Sequence, residues 1–150
     1  IPASGRHGAI AMTIGALLYT HVKAHKLGKT YAAETGVYIR RNPDTVRAPD
    51  AMFISNEREA QINDPIKFND IAPDLVVEVL SPNDTWTEVE TEIDEYFSAG
   101  VRLIWAIDPK QEIVAVYHPS GERSRLTKND TLTGGDVLPE FSVSVTEIFE

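Results

Sequence analysis

The sequence predicts an α+β fold of the α/β/α type: one mixed β-sheet flanked by two helices, with an added C-terminal β-hairpin and edge strand. Three observations predict it. The opening stretch carries apolar residues at helical spacing, β-rich segments and a second amphipathic helix follow, and Val101 to Ile107 is apolar on both alternating faces. A strand of that last kind is covered on both sides.

Taken in order, Ile10, Ile14, Leu17, Leu18 and Val22 recur at the spacing of one helix face, and Gly28 follows a basic turn. This predicts a helix over 7–26 that stops before Gly28. Two β-rich segments, Tyr31 to Arg40 and Thr45 to Ser55, flank Arg41-Asn42-Pro43-Asp44. Asn, Pro and Asp make tight turns, so the two segments read as an antiparallel pair. Residues 56–73 are polar, contain Pro65 and Pro73 and lack periodicity, which predicts a long surface loop of the kind that borders a site.

Leu75-Val76-Val77 and Val79-Leu80 form the next strand, interrupted by a single acid, Glu78. Thr85 and Glu88 make a capping box, and Trp86, Val89, Ile93, Tyr96 and Phe97 form one helical stripe ending near Gly100. Asp108 to Gln111 turns the following strand into Ile113–Tyr117. Alternating Phe141, Val143 and Val145 then predict a short edge strand before a terminal turn. Glycine-rich phosphate loops after strands, His-Glu-x-x-His and nucleophile-elbow motifs are all missing from the sequence, which argues against those chemistries.

The 150 residues, 42% of them apolar, suffice for one core, so 1–150 is expected to be a single domain. No apolar run approaches the ~20 residues that cross a bilayer, and the start has no leader-like pattern. A soluble, cytoplasmic protein is expected, and a start at Ile1 rather than methionine points to a trimmed or partly disordered amino terminus. The absence of cysteine excludes disulfides, thiolate nucleophiles and cysteine-ligated metal centres. The net charge of −9 is uneven: residues 1–50 carry seven Lys and Arg against three Asp and Glu, residues 51–150 seven against twenty. Only the first third therefore offers a phosphate-facing surface.

An ionised carboxylate inside an apolar strand costs several kcal/mol unless something answers it. Glu78 therefore needs a partner. Asp74 shares its face but stands about 13 Å away along the strand, at ~3.3 Å per residue. Asp50, in the neighbouring β segment, is the natural second acid, because adjacent strands lie only about 4.8 Å apart. Two carboxylates from adjacent strands make an oxygen-rich site suited to magnesium or manganese. Such an ion would stabilise phosphoryl charge and activate water for phosphodiester hydrolysis. Among lesser candidates, Glu34 could supply a third acid from the first strand. His21 and His25 share a helix face but have lysine neighbours, and His7 and His118 show no ligand constellation. Asp74, after Pro73, reads as a strand-entry residue.

Four stretches, Thr45 to Asp50, Ala72 to Pro82, Tyr96 to Pro109 and Gly134 to Pro139, resemble the Uma-two family of restriction endonucleases, and the resemblance spans nearly the whole chain. It implies a restriction-endonuclease-like, PD-(D/E)xK fold with its two acids at Asp50 and Glu78. It also implies a lysine two residues after the second acid, where this chain has Leu80. In similar family members that lysine is displaced to the helix position matching Glu92. Losing a cation there slows the chemistry. Five acids, Glu88, Glu90, Glu92, Asp94 and Glu95, lie on this helix without a base; a solvated face accounts for most, and a bound divalent cation would relieve Glu92. The sequence thus predicts a magnesium- or manganese-dependent DNA endonuclease, expected as a homodimer, with Asp50 and Glu78 holding the ion and Glu92 in the catalytic set. The alternative is an inactive nuclease-fold domain that serves oligomerisation or partner binding.

Overall fold

The computed structural model describes residues 2–150, so the expectation about the amino terminus at Ile1 lies outside the described residues. Helix α1 (Gly5–His25) is followed by β1 (Gly28–Ala32), β2 (Val37–Arg40), β3 (Thr45–Arg47), β4 (Ala51–Ser55) and the short α2 (Asn56–Glu59). Then come β5 (Leu75–Val79), α3 (Trp86–Ala99), β6 (Leu103–Asp108), β7 (Ile113–Tyr117) and β8 (Arg123–Leu126). Strands β9 (Thr131–Gly134) and β10 (Leu138–Ser144) and helix α4 (Val145–Phe149) end the chain. Six strands form one sheet in the order β1-β4-β5-β6-β7-β8. Only β5 and β6 run parallel, and α3 is the crossover between them. The sheet is therefore mixed, with one long helix on each face, as predicted.

Side-chain alternation divides the core. Leu75, Val77 and Val79 of β5 face α1, packing with Ile10, Ile14, Leu18 and Val22 and with Leu138, Phe141 and Ile148 from the C-terminal segment. Val76 and Leu80 face the other way, against Val89, Ile93 and Tyr96 of α3. Each fully buried aliphatic or aromatic side chain contributes about 1.5–3 kcal/mol relative to exposure. These two layers hold β5 from both sides.

Several boundaries differ from the sequence reading. The first helix is closed by Lys26 in the left-handed conformation, two residues before Gly28, with the Leu27 amide donating to the Val22 carbonyl. Gly28 serves another purpose: a Cβ there would lie 2.1 Å from the Ile54 carbonyl oxygen of β4. The predicted antiparallel pair exists but is split. β1 pairs with β4 inside the main sheet, whereas β2 and β3 form a separate two-stranded ribbon. Residues 33–36 and 48–50 leave the ladder. Pro49 has no amide to donate, and Glu34 turns the chain at φ 73°.

The segment 56–73 begins with one helical turn, capped by the Ser55 side chain, and it borders Asp74 rather than the acid pair. The outer edge beyond β7 is β8, which the sequence did not reveal because its outward residues are uniformly polar. Phe141 and Val143 belong to β10, which pairs with β9 in its own ribbon, and Val145 starts α4.

Asp74 enters β5 with its side chain 1% exposed. Its Oδ2 accepts the Ser55 amide at 2.6 Å, while Oδ1 lies 3.2 Å from Arg102 Nη1 and 3.5 Å from Arg58 Nε. Arg58 also donates to the carbonyls of Ala72 and Gly100, tying the loop to the end of α3. Removing one partner of a buried charge network strands the others. Asp74→Ala is therefore expected to lower unfolding stability by about 3–5 kcal/mol, read as a fall in urea midpoint with an unchanged slope. Asp44→Ala, which breaks an exposed pair with Arg41, should cost less than about 1 kcal/mol.

Candidate metal and catalytic site

The site follows from the register of β4 against β5. Ala51 pairs with Val77, Met52 with Val76 and Phe53 with Leu75. Asp50 lies just before that ladder begins, beside Glu78 of β5. Like charges brought side by side repel. The Asp50 carboxylate is close enough for its charge to act on Glu78. The sequence reading set Asp50 and Glu78 on adjacent strands; in the fold Glu78 lies in β5 and Asp50 is the residue just before β4.

Each acid is pinned by a neighbour. Asp50 Oδ2 accepts the Val79 amide at 2.7 Å. The Tyr96 hydroxyl donates to Glu78 Oε1 at 2.8 Å. Tyr96 sits on the buried stripe of α3, 1% exposed, so its hydroxyl is held rigidly over the strand. Burial pushes the Glu78 carboxyl up to about 8, and the negative charge of Asp50 adds to the rise, with Glu92 contributing and the Tyr96 hydrogen bond opposing. The Tyr96 phenol is raised by the same burial and by Glu78.

Glu92 lies in the same neighbourhood. A recess of about 30 Å³ is lined by Glu78, Asp84, Glu88, Glu92 and Tyr96, among others. That volume holds about one water-sized occupant. The Glu92 carboxyl is raised by partial burial and by Asp84, Glu95 and Glu88, while Arg47 works the other way. Arg47 from β3 reaches Glu92 Oε1 at 3.5 Å and Glu95 Oε2 at 2.9 Å. Glu92 is thus answered by an arginine from the β2–β3 ribbon.

His7 was passed over in the sequence because nothing nearby resembled a ligand set. In the fold its Nε2 lies 3.5 Å from Asp50 Oδ2, and its side chain is 12% exposed. The available signal was Ser4: its hydroxyl caps α1 by accepting the His7 amide at 3.1 Å, which fixes the ring in the first turn. Glu34 is exposed in the turn after β1, not on a strand. His21 and His25 stack on each other at 4.1 Å, and His21 Nε2 contacts the Pro139 carbonyl, so both are engaged in packing. Among the described residues, no three His, Cys, Asp or Glu side chains converge on one point.

The donor set nevertheless fits a hard divalent cation. Two carboxylates face each other in partly buried surroundings, each with one oxygen held by a protein donor, and among the described residues no Lys or Arg pairs with either acid. Carboxylate oxygens suit magnesium and manganese.

A family model described as "Uma2: putative restriction endonuclease" matches residues 1–146. The chain is similar in fold to the crystal structure of a "putative nuclease belonging to DUF820" from Anabaena variabilis ATCC 29413. The two share 23% identity with a TM-score of 0.83, over 99% of this chain and 83% of that one. No curated protein matches.

A raised carboxyl makes a signed prediction. Between about pH 4.5 and 8 the folded chain holds a proton on Glu78 that the unfolded chain has released. Stability therefore falls as pH rises through that window. In chelator, the thermal midpoint should drop from pH 5 to pH 8, and Glu78→Gln should flatten the slope; an unchanged slope in the variant would assign it to another group.

Proposed function

The chain belongs to the Uma2 family, and from that premise we propose that it is a metal-dependent endonuclease hydrolysing phosphodiester bonds in DNA. Asp50 and Glu78 hold the ion, and the 150 residues act as one domain. The observation that carries this reading is the opposition of the two acids across β4 and β5. A single buried carboxylate is often structural, but two placed together without Lys or Arg hold a proton or take a cation between them.

Magnesium or manganese bound there would polarise a phosphoryl oxygen and supply hydroxide from bound water. The protein's own contribution is orientation. The Val79 amide fixes the rotation of the Asp50 carboxylate, and the Tyr96 hydroxyl fixes that of Glu78. Glu92 completes the acidic rim of the recess, in place of the family's cation. With Arg47 drawn off by Glu92 and Glu95, no Lys or Arg among the described residues pairs with the two acids, so we infer slow chemistry.

Cutting both strands takes two sites, so the working form is a two-fold dimer. No helix among the described residues is long and apolar enough to cross a membrane, in keeping with an enzyme acting on DNA in the cytoplasm. The same withdrawal of Arg47 favours a second reading, a catalytically inactive domain that keeps the fold for oligomerisation or partner binding.

Incubation with supercoiled, linear and single-stranded DNA in magnesium or manganese separates the two. The first reading expects cleavage that Asp50→Asn or Glu78→Gln abolishes. It also expects the double variant Glu92→Lys with Arg47→Gln to be faster by on the order of a hundredfold. Absence of cleavage on every substrate and with either ion would leave the binding role.

A further inference from the structure

We infer that the cleft between the start of α3 and the β7–β8 edge holds one unpaired nucleotide of the DNA strand, its base on aromatic side chains and its phosphate on two arginines; the identity of the strand rests on the nuclease reading above. The cleft has a volume of about 290 Å³, near the lower end of the ~300–1,000 Å³ of small-ligand pockets. Trp86 and Tyr117 line it, both half-buried, and Arg123 and Arg125 reach it from β8.

The first ground is chemical. A planar base stacks on aromatic rings, and guanidinium groups match phosphate. Strand alternation puts the two cations together. Arg123 stands opposite Tyr117 and Arg125 opposite Ala115, so both side chains project over the sheet face that α3 covers. The second ground is how lightly these arginines are held. Arg123 lies 3.3 Å from Glu90, with the two side chains 62% and 48% exposed. An exposed pair of that kind is worth little in water and yields to a phosphate. Arg125 donates to the neutral side chain of Gln111. Two arginines against Glu90 leave the cleft with a net positive charge.

The third ground is position. Arg125 pairs with Ala115, Ala115 with Ala106 of β6, and Ala106 with Glu78 of β5, which makes one row across the same face of the sheet. Three strand spacings of about 4.8 Å separate its ends, about 14 Å in all. That matches about four nucleotides at the ~3.4 Å rise of a strand. Cleft and acid recess therefore flank the first half of α3, with Glu90 on one side and Glu88 and Glu92 on the other.

Titration of the full chain with a short oligothymidylate, in chelator so that no ion is needed, tests this. Of the two tryptophans Trp105 is fully buried, so quenching of the intrinsic fluorescence reports on Trp86. Quenching is expected. The double variant Arg123→Gln with Arg125→Gln should bind about tenfold more weakly or worse at low salt, and its slope of log affinity against log salt should fall by about 1.4, at ~0.7 per phosphate contact. Trp86→Leu, followed by the anisotropy of a labelled oligonucleotide, should lose about tenfold in affinity with its salt slope unchanged.

Binding without quenching would overturn the proposal, and so would a duplex of the same length bound as tightly. Thymidine monophosphate bound as tightly as the strand would also overturn it, by making the occupant a free nucleotide. Cleavage that Asp50→Asn abolishes, without quenching, would leave the acid pair standing and remove the cleft. Quenching without cleavage would keep the cleft and remove the catalytic reading. The wild-type titration decides the matter even if the variants fold poorly.

Discussion

The ladder between β4 and β5 governs everything that follows in this molecule, and it is held in register from one end. Asp74 donates its amide to the Phe53 carbonyl and accepts the Ser55 amide through its side chain, so the entry to β5 is clamped to the exit of β4. Four residues further along, the same strand carries Glu78 to Asp50, which lies just before β4. A slip of one residue would reverse every side chain of β5 between the two faces. Val77 would leave the α1 layer and Glu78 would enter it. The buried clamp at one end is thus what aligns two acids at the other.

The two ends of β5 show one residue type put to opposite uses. Asp74 is answered by Arg58 and Arg102 and by a backbone amide, which fully satisfies a buried charge. Glu78 meets a tyrosine hydroxyl and a second acid. Asp74 is fully buried and Glu78 half-buried, but exposure is not the main difference. The difference is the sign of the neighbour. An acid met by arginines is a structural joint, whereas an acid met by another acid holds its proton or waits for a cation.

Helix α3 connects the site to the rest of the fold. Its apolar stripe buries Tyr96 and so delivers the hydroxyl that orients Glu78. Its other side carries Glu92 and Glu95, which draw Arg47 and with it the β2–β3 ribbon onto the helix. The ribbon's position is therefore coupled to the charge at position 92. A lysine there would repel Arg47, so the glutamate and the arginine are best understood as a matched pair in this chain.

Much was legible in the residues themselves. The periodicity of Ile10 to Val22, the stripe from Trp86 to Phe97 and the double-sided apolar run at β6 fixed the two long helices and the central strand, because burial of those faces is a local property of spacing. Glu78 stood out for the same reason: one acid among apolar neighbours in a strand demands an answer wherever the strand lies. Asp50 was reachable because neighbouring strands lie close together. Polar β8 and the division of residues 31–55 into two ribbons were hidden, since an edge strand carries no apolar signal and a ladder break depends on what packs beside it. His7 and Arg47 were hidden more deeply. They lie 43 and 45 residues from the acids they approach, Asp50 and Glu92 respectively, and only the folding of α1 and of the β2–β3 ribbon over the sheet decides which charges meet.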